Sequence, residues 1–373
     1  MAQRERSRGK AALYLVIRSV VPIVLALVVA GILMLTIGKN PIAFYTDVFN
    51  NGVLGGNWQA SAVLMTPLLL VALGLVVVFR GQLWNLGYDG QFMLAGVFVA
   101  GLAPQMMTHY PVWAVWIGLT ILAVIIGASW TLIPAWLKAR YGTNEIITTL
   151  VMSSIGIGLT NILVQYFFQD PTVAEPTTGT MTTAQMLPNI PGTRIHIGFI
   201  VAIVAAVVLQ FVISRTSFGL RLDIFGSSTK AARHVGINST KMIFALFIIS
   251  GGLIGLAAAM DIFGQWGYMR TNWNPAYGDM VVPFVFLARL SPLGCIPFIA
   301  FYSIFSTGGI IASQDSGLSS KFLLVIVALI LIFMSITEYI GTKRDLGQSY
   351  LPDELKEVLR RPFDRIASQG ARR

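Results

Sequence analysis

The apolar residues of this chain come in long uninterrupted blocks, and polar residues are concentrated between them. Runs such as 23–35 and 322–334 are almost wholly apolar, and milder residues extend them at both ends. A helix of about 20 apolar residues matches the ~30 Å hydrocarbon core of a bilayer. Strands of outer-membrane barrels instead alternate residue by residue. The pattern therefore predicts transmembrane α-helices.

The blocks predict an all-α polytopic membrane protein with about ten spans. We place the spans near residues 13–38, 60–79, 83–104, 113–137, 146–168, 197–213, 241–263, 279–290, 295–312 and 321–341. The eighth and ninth blocks are short and proline-containing, so they form either two broken spans or one re-entrant hairpin from the outside. Both alternatives return the chain to the same side of the membrane.

No part of the chain predicts a separate soluble domain. The predicted segments are a cytoplasmic N-terminus (1–12), one transmembrane domain (13–341) and a cytoplasmic tail (342–373). Two loops of the transmembrane domain are long. Residues 169–196 form an outside loop rich in proline and threonine, and residues 214–240 form a basic cytoplasmic loop.

Composition supports the membrane assignment, and the position of the charges predicts its orientation. The chain is 55% apolar and 11% charged, whereas soluble domains contain about 25% charged residues. With the N-terminus inside, 22 of the 26 lysines and arginines fall on cytoplasmic segments or inner span ends. This distribution follows the positive-inside rule. We therefore predict that both termini are cytoplasmic. No loop is long enough to fold as a nucleic-acid-binding domain with basic and aromatic residues on one face.

Several kinds of chemistry find no support in the sequence. Cys295 is the single cysteine, and His109, His196 and His234 lack the spacing of metal ligands. A membrane-embedded enzyme is disfavoured because the spans contain no paired histidines and no Ser/His arrangement. The phosphate-binding pattern G-x-x-x-x-G-K-[ST] is absent. We therefore expect neither catalysis, a cofactor nor a metal in this chain.

The stretch from Arg80 to Gln91 is polar although it adjoins a predicted span. The apolar run after it, 92–103, covers only roughly 20 Å of the ~30 Å hydrocarbon core. Part of the polar stretch must therefore lie at membrane depth, where it is covered by protein or lines an aqueous cavity. Two interpretations remain open. Asn85, Asp89 and Gln91 line a substrate path, or Asp89 caps the next helix and the amides satisfy the helix break.

Three further polar residues lie within the predicted spans. Thr148 is near the inner start of the fifth span, and Asn161 and Gln165 are four residues apart on one face of it. Hydrogen bonding between helices explains such residues without any function. The alternative is that they line the path of a neutral, hydroxyl-rich solute.

A short capped helix is predicted within the basic cytoplasmic loop. Ser227 or Ser228 provides the N-cap, and Gly236 provides a left-handed C-cap about two turns later. Ala231 and Ala232 leave one side of this helix small, so another protein surface can approach it closely. An ordinary loop helix is the alternative interpretation. As a docking helix it would comprise Ser227, Ser228, Thr229, Lys230, Ala231, Ala232, Arg233, His234 and Gly236.

Three motifs resemble those of the permease subunits of ABC importers, in the ribose and nucleoside branch. Residues 230–236, Lys-Ala-Ala-Arg-His-Val-Gly, resemble the Glu-Ala-Ala-x-x-x-Gly loop. Residues 85–91, Asn-Leu-Gly-Tyr-Asp-Gly-Gln, are similar to the Asn-Ile-Gly-Ala-Glu-Gly-Gln of that branch. Residues 142–149 resemble its Gly-x-Asn-Glu-Val-Ile-x-Thr. The likeness runs from about residue 64 to 340, and it departs from the motifs at Tyr88 and Lys230.

The resemblance implies a permease in the bacterial cytoplasmic membrane that takes up a nucleoside or a related purine or sugar-type solute. It implies that a separate ATPase subunit binds ATP and Mg²⁺ and receives the docking helix in a groove. It also implies a second homologous permease, hence a heterodimeric pore, and a binding protein outside that delivers the substrate. A self-sufficient, ion-coupled secondary transporter that uses Asp89 is the alternative, but it leaves the docking helix unexplained.

Overall fold

The structure is a computed structural model that describes residues 2–54, 57–319 and 321–345. Most of these residues are helical, and their β-type pairing is limited to three isolated bridges between loops. The all-α fold class is therefore confirmed. The predicted cytoplasmic tail lies outside the described residues beyond residue 345.

Fourteen α-helices follow one another along the described chain. They are α1 (Ala2–Thr36), α2 (Pro41–Gly52), α3 (Trp58–Arg80), α4 (Tyr88–Met106), α5 (Val112–Trp130), α6 (Leu132–Tyr141), α7 (Glu145–Ile162), α8 (Gly198–Arg215), α9 (Ser217–Ser227), α10 (Thr229–His234), α11 (Ser239–Asp261), α12 (Tyr277–Leu287), α13 (Pro292–Asp315) and α14 (Phe322–Asp345). Two π-helices, Leu163–Phe167 and Ile262–Trp266, extend α7 and α11 directly.

Eight helical stretches of the described chain are long and apolar enough to cross a membrane. Helix α4 has 19 residues with a polar start, and α12 has 11 apolar residues. These two helices lie at the third and eighth predicted spans, so each of the ten predicted spans corresponds to a helix of the described chain. The expectation of a short ninth span is wrong, because α13 has 24 residues. Its Pro292 occupies the first helical position, where a missing N–H costs nothing.

The chain divides into two compact units, of which the smaller contains residues 1–38 and 325–373. Within this unit Arg18 connects α1 to the end of α14. Its guanidinium forms an ion pair with Glu338 at 2.8 Å and donates to the Thr342 hydroxyl at 3.3 Å. The Arg18 side chain is only 9% exposed. This ion pair is therefore shielded on the arginine side.

The larger unit, residues 39–324, is built around α3 and α11. Helix α3 is buried along nearly its whole length from Met65 to Phe79. Helix α11 crosses α5 at very short distance, since a Cβ atom on Gly127 or Gly255 would collide with the facing backbone. Small residues are the usual means of such close contact between membrane helices. These glycines therefore define the packing of the unit.

The outer faces of several helices in the larger unit are apolar and exposed. On α5 the exposed residues repeat every four positions as Ile117, Ile121 and Ile125. On α8 Val204 and Val208 are also more than half exposed. A stripe of this kind needs an apolar solvent. Lipid provides it in a membrane protein.

The long outside loop lies against the end of α11. Backbone hydrogen bonds join Thr178 N to Met269 O at 2.8 Å and Met181 N to Gly267 O at 3.0 Å. A third joins Leu187 N to the Phe263 carbonyl at 2.9 Å. The loop is thus attached to the chain mainly through main-chain groups.

Candidate substrate path and docking helix

The connection between α3 and α4 is non-helical, and the amides of Asn85 and Gln91 hold it together. Gln91 Nε2 donates to Asn85 Oδ1 at 2.8 Å, and Asn85 Nδ2 donates to Gln91 Oε1 at 3.1 Å. Asn85 also donates to Ser250 Oγ at 3.0 Å and accepts from the Gly87 N–H at 3.1 Å. Both amides are almost completely buried. Their contacts correspond to the helix-break interpretation.

Helix α7 supports the same connection from the other side. The Leu86 N–H donates to Thr149 Oγ1 at 3.1 Å, and the Gly90 N–H donates to Ser153 Oγ at 3.0 Å. A Cβ atom on Gly90 would lie 2.6 Å from the Ser153 Cα atom, so the two backbones touch. Polar groups of the connection are thereby satisfied inside the protein, as membrane depth requires.

Tyr88 and Asp89 contact the first turn of α12 and the loop before it. Asp89 Oδ2 accepts a hydrogen bond from Asn274 Nδ2 at 3.1 Å, and the Tyr88 hydroxyl donates to Asp279 Oδ1. The Tyr88 ring lies directly against Gly278, where a Cβ atom would collide with it. This glycine accommodates the bulky residue by which the chain departs from the family motif. We call Tyr88, Asp89, Asn274 and Asp279 the acceptor cluster.

The acceptor cluster lies where α4 and the short helix α12 begin. Asp89 is in the first turn of α4 and Asp279 in the first turn of α12. At 1.5 Å per residue α12 is about 16 Å long, roughly half of the hydrocarbon core. The positive ends of both helix dipoles stabilise the carboxylates. Interrupted helices that begin within the membrane are typical of transporter binding sites.

The hypothesis that Asp89 caps α4 is wrong. Gly87 occupies the N-cap position, and no side chain accepts a capping hydrogen bond there. The Asp89 carboxylate is half-buried and is bonded to Asn274 instead. The carboxylate therefore belongs to the contact between the start of α4 and the loop before α12.

The other residues predicted for the substrate path lie in two different environments. Asn161 Oδ1 accepts from the Asn272 N–H at 2.9 Å, so α7 reaches the loop that carries Asn274. Thr148 donates to carbonyl groups of its own helix start, at 3.2–3.3 Å. Gln165 is exposed on the π-helix that follows α7. The structure thus brings Asp89 and Asn161 to the same loop, and leaves Thr148 and Gln165 outside that arrangement.

Two residues of the acceptor cluster were not assigned to a site from the sequence: Asn274, the partner of Asp89, and Asp279, the partner of Tyr88. Asn274 lies in a loop between apolar blocks, and nothing in its neighbourhood indicates a contact 185 residues away. Asp279 is detectable as a carboxylate at the start of a short apolar block. Its contact with Tyr88, 191 residues away, is not predictable from this position.

The capped helix of the cytoplasmic loop is α10, and both predicted caps are present. Ser228 is the N-cap, and its hydroxyl accepts from the Ala231 N–H at 3.2 Å. Gly236 has a φ of +80°, and the Ile237 N–H donates to the Ala232 carbonyl at 2.9 Å. This is the hydrogen-bond pattern of a Schellman C-cap. Ser227, the alternative N-cap, is the last residue of α9.

One side of α10 packs against the protein, and the other side is exposed. Ala232 is fully buried against the protein. The remaining residues of the predicted docking helix are exposed: Ser227, Ser228, Thr229, Lys230, Ala231, Arg233, His234 and Gly236.

Helix α9, which no sequence pattern predicted, connects α10 to the inner end of α3. Arg80 Nε and Asp223 Oδ1 are 2.6 Å apart, and Arg80 Nη2 donates to Asp223 Oδ2 at 3.1 Å. Gly226 lies so close to the Arg80 carbonyl that a Cβ atom there would collide with it. These contacts join the helix before α10 to Arg80, five residues before Asn85.

The third motif builds the start of α7. Gly142 ends α6 with a φ of +65°, and the Asn144 side chain caps α7 by accepting from the Ile146 N–H at 2.9 Å. Lys138 and Glu145 form an ion pair at 2.7 Å across the turn. Within the described residues, no group of three His, Cys, Asp or Glu side chains is arranged to hold a metal ion.

These features define a class of protein. Interrupted helices that meet at a polar cluster, lipid-facing outer surfaces and an exposed capped helix on the basic side belong to a membrane permease. Residues 57–335 match the family described as the permease component of the branched-chain amino acid transport system. The chain belongs to this family, since the match covers most of its length.

Individual relatives refine the class to ABC transporter permeases of the simple-sugar and nucleoside branch. The chain is 26% identical over 333 residues to a glucose ABC transporter permease of Haloferax volcanii, covering 86% of this chain and 87% of the relative. It is 26% identical over 325 residues to a guanosine ABC transporter permease of Bacillus subtilis, covering 84% and 91%. A nucleoside ABC transporter permease of Lactococcus lactis shares 26% over 328 residues, covering 85% and 89%. The chain is thus a multi-pass permease of an ABC importer in the bacterial inner membrane.

Proposed function

We propose that this permease imports a nucleoside or a related purine or sugar-type solute, driven by a separate ATPase subunit that binds ATP and Mg²⁺. The observation that carries the proposal is the exposed, doubly capped helix α10. A helix of this kind presents a rigid surface, and the small side chain of Ala231 on its exposed face lets a partner approach closely. The ATPase groove receives Thr229, Lys230, Ala231, Arg233 and His234.

Coupling runs from α10 through α9 to the substrate path. The ATPase moves α10, and the Arg80–Asp223 ion pair with the close approach of Gly226 passes this movement to the end of α3. Asn85 and Gln91 then transmit it to Asp89 at the start of α4. An ordinary loop helix would lack such a connection to the membrane interior.

The acceptor cluster is the proposed contact for the solute. Its carboxylates and the Asn274 amide oxygen accept hydrogen bonds from hydroxyl and amino groups. The relatives are named for glucose, guanosine and nucleosides, and all of these solutes carry several hydroxyl groups. The two carboxylates repel phosphorylated analogues by charge. We therefore assign neutral solutes to this path.

A second permease and an outside binding protein complete the proposed importer. Two different guanosine permeases of Bacillus subtilis both resemble this chain, and this supports a heterodimeric pore. The binding protein delivers the solute to the outer end of the pore, where loop 169–196 offers a contact surface.

The docking assignment is tested by co-purification of the permease with its ATPase subunit. Ala231→Trp enlarges the exposed face of α10, and deletion of residues 227–235 removes the helix. Both changes should reduce the bound ATPase at least about tenfold, which corresponds to ~1.4 kcal/mol. Ser214→Trp, at an exposed cytoplasmic position of α8, is the control and should retain the ATPase.

Two results contradict the proposed function. One is an unchanged amount of bound ATPase in the deletion variant. The other is solute uptake by the isolated permease in vesicles that have an ion gradient and no ATPase. The second result would instead establish a secondary transporter.

A further inference from the structure

A cavity of about 390 Å³ lies on the predicted cytoplasmic side, between α9, the turn after α10 and the start of α11. Its lining combines two cations with apolar residues. Arg221 and Lys241 provide the cations, and Phe218, Met242 and Ala245 are among the apolar residues. None of them belongs to the acceptor cluster or to the exposed face of α10. The cavity is therefore separate from the acceptor cluster, and it shares only Gly236 with the predicted docking helix.

The positive charge of the cavity is not neutralised by the part of the chain that the structure describes. Both Arg221 and Lys241 are exposed, and within the described residues neither forms an ion pair with a carboxylate. Asp223 is the nearest carboxylate along the chain, and it is paired with Arg80 at 2.6 Å. The cavity thus presents two cations to any anion that enters it.

The cavity also lies at the boundary of the hydrocarbon region. The span that contains α11 begins at Ser239, and the span formed by α8 ends at Arg215. Met242 and Ala245 are in the first two turns of α11, so they form an apolar wall at the depth where acyl chains begin. Lys241 directly precedes Met242 near the start of α11, and Arg221 lines the same cavity from α9.

We propose that this cavity binds an anionic phospholipid of the cytoplasmic leaflet. Arg221 and Lys241 hold the phosphate group, and the first part of an acyl chain lies against Phe218, Met242 and Ala245. The anionic cytoplasmic leaflet concentrates such lipids at basic residues, and basic pockets between spans are suited to their headgroups.

Two other anions match the chemistry less well. Free phosphate would use the cations and leave the apolar wall uncovered. An acidic side chain of the ATPase would also leave it uncovered, because the wall belongs to a membrane span. A phospholipid matches both parts of the cavity, because its phosphate group pairs with the cations and its acyl chain covers the apolar wall. Val235 and Gly236, which directly follow α10, line the cavity. The bound lipid therefore also contacts the C-terminal end of the docking helix.

The test measures the thermal stability of the purified full-length permease in a neutral detergent. Three probes are added separately: phosphatidylglycerol in mixed micelles, phosphatidylcholine in mixed micelles and inorganic phosphate. Phosphatidylglycerol should raise the Tm by about 2–4 °C, and the other two probes should not. Arg221→Gln and Lys241→Gln should each lose at least half of this rise. Arg140→Gln, which removes an exposed cytoplasmic charge outside the cavity, should keep it.

A second variant separates the lipid from free phosphate. Ala245→Phe fills the apolar part of the cavity without changing its charge. This variant should also lose the rise in Tm that phosphatidylglycerol causes. Its Tm in phosphatidylcholine micelles reports whether it is folded. Equal Tm shifts for Arg221→Gln and Arg140→Gln would overturn the proposal. So would a full shift in folded Ala245→Phe, or stabilisation by phosphate alone.

Binding of the ATPase provides the remaining comparison. If Arg221→Gln and Lys241→Gln lose the ATPase but keep the phosphatidylglycerol shift, the cavity belongs to the protein interface and the lipid site is refuted. The lipid measurement needs no ATPase, so its outcome is independent of the proposed function.

Discussion

At the scale of single residues, Asp89 and Asn85 show how one polar motif serves two purposes. The Asn85 amide is buried and bonded to Gln91, Ser250 and the Gly87 backbone. Asp89, four residues later, is half-buried and belongs to the acceptor cluster. Substitutions at the two positions should therefore affect different properties.

Asp89→Asn should reduce solute uptake without impairing assembly. The change keeps the size of the side chain, but it removes the charge that strengthens hydrogen bonds to solute hydroxyl groups. We expect uptake in reconstituted vesicles to fall at least about tenfold, or ~1.4 kcal/mol, with normal binding of the ATPase. Asn85→Ala is the contrasting variant: it leaves Gln91 unsatisfied and should lower the yield of folded protein. Normal uptake by Asp89→Asn would exclude Asp89 from the path.

His196 should make the stability of the protein depend on pH. It precedes the span formed by α8, it is 1% exposed, and Gly198 and Gly264 pack closely around its ring. Burial lowers the pKa of His196 to about 4, below its ordinary value of about 6.5. Between about pH 6.5 and 4, His196 binds a proton in the unfolded chain but not in the folded protein. The free energy of unfolding is therefore highest above about pH 6.5 and decreases as the pH falls towards 4.

The measurement for His196 is the Tm in detergent at pH 7.5 and at pH 5. The histidine should contribute on the order of 1–2 kcal/mol to the difference. His196→Phe removes the titrating group and should show a smaller decrease than the wild type. An identical decrease in both proteins would assign the pH dependence to other residues.

At the scale of the elements, local sequence predicted the capped helix well because its signals lie within the helix itself. Ser228 and Gly236 determine where α10 begins and ends, and both act on backbone groups a few residues away. The start of α4 was placed five residues too early, at residue 83. Two residues that hydrogen-bond to this non-helical stretch, Thr149 and Ser250, come from other parts of the chain.

Gly236→Ala should weaken the docking of the ATPase. The position has a φ of +80° and no neighbouring atom within 4 Å of an added Cβ, so the effect is purely conformational. An alanine there costs about 1 kcal/mol, and we expect a several-fold weaker association in a binding assay. Gly158→Ala, which also meets nothing within 4 Å and lies in α7 without a positive φ, should bind normally. Equal binding by both variants would show that the C-cap is dispensable.

Two glycine substitutions in α11 test the close crossing of α5 and α11. A Cβ atom on Gly255 would collide with the Ala123 carbonyl, whereas one on Gly252 would lie 3.4 Å from the nearest atom of Val124. Gly255→Ala should separate the helices and strongly lower the yield and Tm of the protein. Gly252→Ala should be close to wild type by the same measurements. Similar losses in both variants would argue against the observed crossing.

At the scale of the whole molecule, apolar blocks and the positions of the charges predicted the ten membrane segments, because lipid imposes length and composition on each segment separately. The acceptor cluster was only partly predictable. Asp89 is conspicuous as a carboxylate at membrane depth, but Asn274 reaches it from 185 residues away. Contacts of that kind depend on how all the helices pack. No local pattern contains this information.

Asp223→Asn tests the connection between the docking helix and the substrate path. It weakens the ion pair with Arg80 and leaves the exposed face of α10 unchanged. The ATPase should still bind and hydrolyse ATP, but the amount of solute transported per ATP should fall several-fold. The ratio is measured in proteoliposomes that contain the complete importer. Loss of ATPase binding, rather than loss of this ratio, would place Asp223 in the docking surface.

The attachment of the outside loop has an evolutionary consequence. Met181 and Leu187 are attached to the end of α11 through main-chain N–H groups, and every residue except proline can provide such a group. Substitutions in the loop therefore change its surface chemistry while its course over the protein is retained. Exposed side chains of the loop can in this way diverge between related permeases with little cost to the folded membrane domain.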